Sequence, residues 1–204
     1  MPSTGARLPA SAGKPRQLPD FYLITPTQPD DWQAWLDLIR RSFFDPGVGW
    51  LQMRRHDLDD QSFLELATEL YALCRENGIP MLVNREPWLA EQIAADGLHL
   101  SESRLFEKGI EQRLRPFAWV GASCHGVESL QRAADIGVDF AVLSPVHSTP
   151  SHPGRQPIGW QGFAATVAQV DLPVYALGGV AAADLHTAKV HGAQGIAAIR
   201  GLLP

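Results

Sequence analysis

Eight short apolar runs, each closing on glycine or a polar residue, alternate along this chain with stretches that carry apolar residues at helical spacing. The runs are Phe21-Tyr-Leu-Ile-Thr25, Gly49-Trp-Leu-Gln-Met-Arg54, Pro80-Met-Leu-Val83, Gly97-Leu-His-Leu100, Ala118-Trp-Val-Gly121, Phe140-Ala-Val-Leu143, Val174-Tyr-Ala-Leu177 and Gly195-Ile-Ala-Ala-Ile199. Runs this short, bounded by Gly and Pro, read as strands buried on both faces. Asp30 and Asp31 cap a helix that reaches about Phe44. Asp59 or Asp60 starts a longer one, with Phe63, Leu66, Leu70, Leu73 and Cys74 on one face and Asn77-Gly78 as its stop. Further helices are expected from Pro87, over Leu105 to Leu114, from Val127 to a stop at Gly137, over Trp160 to Val167, and over Ala183 to Val190.

Strand–helix alternation at roughly 20–25 residues per unit demands a parallel sheet. Doubly wound sheets usually hold about five or six strands, so eight favour closure. The expectation is an α/β chain forming a (β/α)8 TIM barrel over residues 20–204, with the eighth helix short or missing before Pro204. Residues 1–19, rich in Pro, Ala, Gly and Ser and without periodicity, read as a flexible, linker-like tail.

Composition excludes several classes. At 204 residues the chain is one domain or at most two, and 45% hydrophobic with 19% charged residues fits a soluble globular protein. A net charge of −5 argues against nucleic acid and anionic membrane as partners. No apolar run approaches the roughly 18 residues of a membrane span. Cys74 and Cys124 make no disulfide framework and suit a reducing cytoplasm.

In a barrel of this kind, functional residues sit where strands end. Gln52 and Arg54 flank Met53 and share one face, for which the barrel mouth is the comfortable place. Gly178-Gly179 and Arg200-Gly201 follow the last two strands, where backbone N–H groups can approach a phosphate. His125 can shuttle a proton near neutrality or serve only to brace a loop. His99 can act chemically or pack, hydrogen-bonded, beneath the mouth. Cys124 alternates with His125 and should face away. His56, His147 and His152 have no zinc spacing, and His186 and His191 read as surface residues.

The strand ends together resemble a known family. Tyr22-Leu-Ile-Thr25, Leu51-Gln-Met-Arg54, Val83-Asn84, Ala95-Asp-Gly-Leu-His-Leu100, Gly121-Ala-Ser-Cys-His125, Ser144-Pro-Val-His-Ser-Thr149 and Ala176-Leu-Gly-Gly179 stand in the order seen in thiamine phosphate synthases and the related TenI proteins. The likeness runs from about Phe21 to Leu202. It is greatest to a synthase-like domain fused behind a Nudix hydrolase in some bacteria. The resemblance implies a (β/α)8 barrel that binds a thiazole phosphate on Gly178-Gly179 and on Ile199 to Gly201. In the synthases, a hydroxymethylpyrimidine diphosphate is joined to that thiazole, with Mg2+ assisting departure of diphosphate. The implied substrate-binding set is Gln52, Arg54, Asn84, His99, Thr149, Ser151, Gly178, Gly179, Arg200 and Gly201, with His125 as the catalytic residue.

This chain departs from the synthase pattern on the diphosphate side. His56 and His152 stand for lysines, and Arg85 and Arg104 stand for the two metal-binding aspartates. Mg2+ prefers anionic oxygens, so no metal site is expected unless Glu86 or Glu102 takes over. The two arginines could instead bind diphosphate directly or form surface salt bridges. Arg200, where the family has serine, could add charge to the phosphate site or point into solvent. The expectation is therefore metal-independent TenI-like chemistry, a thiazole tautomerase using His125 and no cofactor. The alternatives are a synthase, the one case that calls for Mg2+, and a non-catalytic phosphate-ligand sensor in a Nudix fusion. A Nudix hydrolase domain and a second copy of the chain are the macromolecular partners left open.

Overall fold

The apolar runs form eight parallel strands. In the computed structural model, which describes residues 17–26, 31–149, 154 and 156–204, these are β1 (Phe21–Ile24), β2 (Trp50–Met53), β3 (Met81–Val83), β4 (Gly97–Leu100), β5 (Trp119–Cys124), β6 (Phe140–Leu143), β7 (Val174–Ala176) and β8 (Gly195–Ala198). Each pairs with its neighbour in sequence, and β8 returns to β1 with Phe21 opposite Ile196 and Tyr22 opposite Ala197. The sheet is a closed barrel, as the strand count favoured.

The helices are α1 (Trp32–Ser42), α2 (Asp60–Glu76), α3 (Pro87–Gln92), α4 (Glu102–Leu105), α5 (Ile110–Arg113), α6 (Val127–Asp135), α7 (Gly159–Val167) and α8 (Leu185–Val190), with a 3-10 turn at Ala182–Asp184. Asp31 caps α1 by accepting from the Ala34 amide at 3.0 Å, and Asp59 caps α2 by accepting from Ser62 at 2.8 Å. Asp30 lies outside the described residues. The single helix expected over Leu105 to Leu114 is instead two four-residue pieces, because Gly109 takes a φ of 76° between them. Strand β5 runs past Gly121 to Cys124, its polar end held by Ser123 opposite Val142 and Cys124 opposite Leu143 on β6. Beyond β8 the described chain makes a turn and no helix.

Strand alternation divides the core into two shells. Outward residues such as Leu23, Leu51, Met53, Met81 and Val83 pack with α1, α2 and the other helices, and Cys74 belongs to this shell. Burial pushes the Cys74 thiol up and raises that of Cys124 to about 12, so both are inert packing groups. Inward residues Tyr22, Trp50, Leu82, Phe140, Val142, Tyr175 and Ala197 fill the barrel as a separate cluster. Tyr22 meets Phe140 edge-on at 5.3 Å, and Trp50 meets Trp119 at 4.6 Å. Gly121 makes this filling fit, since a Cβ there would strike the Phe140 ring and the His99 imidazole.

The end of the barrel away from the mouth is covered by residues 18–20. Leu18 packs on the inner cluster, the Tyr175 hydroxyl donates to Pro19 O at 2.6 Å, and Gln194 donates to Leu18 O at 3.2 Å. The last residues assigned to the tail are thus part of the packed barrel, and residues 1–16 lie outside the described set.

Candidate active site

A cavity of about 330 Å³ opens at the carboxyl ends of the strands. One wall is backbone. The turns after β7 and β8 bring Gly178, Gly179 and Val180 beside Ile199, Arg200 and Gly201. Gly178 and Gly179 take φ values of 98° and 67°, in the left-handed region. A Cβ on Gly178 would come within 2.8 Å of Pro145, and one on Gly179 within 2.7 Å of the His147 side chain. Glycine is needed twice over, for backbone conformation and for the close approach of the β6–α7 loop. Among the described residues, the N–H groups of Gly179, Val180, Arg200 and Gly201 have no acceptor in the protein. Such donors sit comfortably only against water or an anionic ligand. The helix expected behind this loop is a 3-10 turn and the six-residue α8, and Asp184 already accepts from the Ala181 amide at 2.9 Å. The cradle is therefore the glycine backbone more than a helix dipole.

The facing wall is made of side chains. Gln52, Arg54, His56 and Asn84 all line it, so the parity that put Gln52 and Arg54 on one face holds. Thr25 locks this corner, its hydroxyl donating to Arg54 O at 3.1 Å while accepting from the Arg54 amide at 2.9 Å. Asn84 donates to His99 O at 2.7 Å and meets the His56 ring at 3.0 Å. Burial lowers the His56 pKa, so this ring is neutral at neutral pH and serves as a hydrogen-bonding group. Among the described lining residues, Arg54 and Arg200 face one carboxylate, Glu102, an excess of positive charge. Thr149 and Ser148 complete the rim.

His125 lines the cavity between these walls. Its Nδ1 lies 2.9 Å from Ser144 O, an acceptor only, and 3.1 Å from Ser144 Oγ, so Nδ1 carries a hydrogen toward the carbonyl. The backbone N–H of His125 donates to the Glu102 carboxylate at 3.0 Å. His99 is not in the wall. It sits one inward residue below Ser101, almost fully buried, and its Nε2 reaches the cavity residue Ser123 at 3.0 Å. Burial, aided by the charge of Arg54, pulls its pKa down to about 3.

Arg85 and Arg104 do not line the cavity. Arg85 donates to Arg55 O at 3.0 Å, to Leu58 O at 3.1 Å and to Asp60 at 2.6 Å, and it lies over the Phe63 ring. Arg104 pairs with Glu86 and Glu107, and Glu86 also pairs with Arg85. Of the two roles open to these arginines, the geometry is that of salt bridging. Glu86 is thereby committed, which leaves Glu102 as the lining carboxylate. Among the described residues no three His, Cys, Asp or Glu side chains are grouped as metal ligands. The paired carboxylates of the synthase pattern are absent, and Glu102 is the carboxylate that lines the cavity among the described residues, so a site holding Mg2+ between two aspartates does not fit.

Of the residues expected at the site, Gln52, Arg54, Asn84, His125, Thr149, Gly178, Gly179, Arg200 and Gly201 converge on one cavity. Ser151 and His152 lie outside the described residues. The apolar lining, including Ile24, Leu177, Val180 and Ala198, was missed. Its only signal was parity, for Ile24 shares the inward face of Tyr22.

The family model described as thiamine monophosphate synthase matches residues 21–202. The thiamine-phosphate synthase of Thermus thermophilus is 33% identical over 185 residues, covering 90% of this chain and 88% of that protein. That of Syntrophomonas wolfei is 31% identical, with coverages of 90% and 88%. Among solved structures, the thiamine phosphate pyrophosphorylase of Pyrococcus furiosus superposes with a TM-score of 0.73 at 25% identity, over 88% of this chain and 85% of that one. No helix among the described residues is long and apolar enough to cross a membrane.

Proposed function

The chain belongs to the thiamine monophosphate synthase family, and from that premise we propose that it joins a pyrimidine diphosphate to a thiazole phosphate. The observation that carries this reading is the two-sided cavity: a backbone cradle around Gly178 and Gly179 faces a wall holding Arg54, His56 and Asn84. The cradle receives the thiazole phosphate, and the facing wall receives the diphosphate. The thiazole nitrogen then lies toward the pyrimidine methylene. Its lone pair forms the new C–N bond while the methylene C–O bond breaks, and diphosphate leaves with that electron pair. No proton needs to move. The chain's own groups orient the two partners and stabilise the departing charge, with Arg54 as the strongest donor at the wall. Arg85 and Arg104 stand at the expected carboxylate positions and are held in salt bridges, so the paired carboxylates that would hold Mg2+ are missing. Mixing the purified chain with both substrates should yield thiamine phosphate and diphosphate in equal amounts; no product from either Mg2+-containing or chelated reactions would refute the reading.

One observation favours a second reading. His125 is fixed through Nδ1 to Ser144 O with its ring in the cavity wall, an arrangement suited to proton transfer on a bound thiazole. Tautomerisation of a thiazole carboxylate phosphate needs the phosphate cradle and this base but no second substrate. His125→Gln separates the two: it should abolish tautomerase turnover and leave condensation within about fivefold of the parent, since condensation moves no proton.

A further inference from the structure

The glycine pair after β7 has no side chains to hold it, and what holds it lies outside the cavity. The Pro145–His147 segment runs against it: the Val146 and His147 amides donate to Leu177 O and Gly178 O, each at 2.9 Å. The start of α7 grips the same segment from the other side. The Ile158 amide donates to Pro145 O at 3.0 Å and the Gly159 amide to Val146 O at 2.9 Å. The next residue, Trp160, supplies a ring. Its indole meets the His147 imidazole edge-on at 5.6 Å, stacks on the His191 imidazole at 5.6 Å, and meets the buried Phe163 ring at 6.1 Å. His191 is braced in turn, with its Nδ1 2.8 Å from Thr187 O of α8. The described cavity lining includes none of His147, Trp160 and His191, whereas Ser148 and Thr149, next in the chain after His147, are part of it.

We infer that Trp160 is a positioning residue: its indole clamps His147 against Gly179, and so holds the root of the β6–α7 loop and the glycine turn in one arrangement. Backbone donors bind an anion well only when they converge before it arrives, because ordering them on binding costs affinity. Gly179, at a φ of 67°, has the backbone freedom to lose that convergence. His147 removes the freedom, since its Cβ stands 2.7 Å from where a Gly179 side chain would begin. Trp160, set on Phe163 and flanked by His191, keeps His147 from moving away. The inference rests on the reading of the glycine turn as an anion cradle, but the clamp itself can be measured without any ligand.

The first measurement is amide hydrogen exchange in the absence of ligand. In Trp160→Ala the Val146 and His147 amides should exchange at least tenfold faster than in the parent, and the Ala141 amide, which donates to Pro173 O inside the barrel, should be accelerated much less. No acceleration, or an equal one at all three amides, overturns the clamp. The second is calorimetric binding of thiazole phosphate. Trp160→Ala should raise its Kd about fivefold, the size expected when about one further group must be ordered on binding. Trp160→Phe, which keeps a ring beside His147, should restore most of the affinity. His147→Ala should match Trp160→Ala, and the double variant should be no weaker than either single one, because the two residues act through one contact. Affinity within twofold of the parent in Trp160→Ala overturns the positioning role alone. No thiazole phosphate binding by the unaltered chain overturns the anion cradle and the proposed function with it, whatever the exchange rates.

Discussion

Two arginines of similar sequence context have opposite jobs in this protein. Arg54 lines the cavity, whereas Arg85 is spent on two loop carbonyls and Asp60. Arg54→Ala should weaken diphosphate binding by tenfold or more, about the worth of a charge-assisted hydrogen bond, with little change in melting temperature. Arg85→Ala should do the reverse: a loss of about 1–3 kcal/mol in urea unfolding, from carbonyls left without donors, and affinity within about twofold. His99 has a pH signature. Its folded pKa, about 3, lies below the ordinary histidine value, so the unfolded chain takes up a proton that the folded chain refuses. This contribution is absent above about pH 6.5 and destabilises increasingly as pH falls toward the folded value. In His99→Gln the urea midpoint should therefore fall less between pH 7 and pH 4.5 than in the parent; equal slopes would contradict the burial of a neutral imidazole.

The glycine loop after β7 shapes one wall of the cavity through its backbone geometry. Gly179→Ala must both strain a φ of 67° and displace His147 and Ser148 of the β6–α7 loop. It should raise the Kd for a thiazole phosphate at least tenfold in calorimetry while leaving binding of diphosphate to the Arg54 wall less affected. The same elements explain what the sequence made legible. Strand positions and their inward parity follow from period-two alternation, which put Gln52, Arg54 and the two glycine turns at one mouth. Depth along the inward face is harder to read. His99 and Ser101 share parity, but only the stagger of neighbouring strands shows that His99 lies a layer below the cavity. The salt bridges of Arg85 were hidden for another reason: a long side chain at a strand end can turn toward cavity or helix, and its partner Asp60 is 25 residues away. Gly109, which divides the helix expected before β5, lies where apolar spacing alone suggested continuity.

Closure of the barrel brings the ends of β7 and β8 around to face those of β2 and β3, and the cavity has two walls only because the sheet closes. The interior is filled by Tyr22, Trp50, Phe140 and Tyr175, and residues 18–20 cover the far end, so the described cavity opens at the mouth. On the proposed function, this mouth binds two phosphorylated partners and joins them with the chain's own cations in place of a metal held between two carboxylates. The most direct measurement is the initial rate of thiamine phosphate formation from hydroxymethylpyrimidine diphosphate and thiazole phosphate, taken in excess chelator and across a Mg2+ titration. Product should form in chelator, and Mg2+ should change the rate by no more than about threefold, well short of the several kcal/mol a catalytic ion contributes. No product in chelator with a rate rising in proportion to Mg2+ would contradict it.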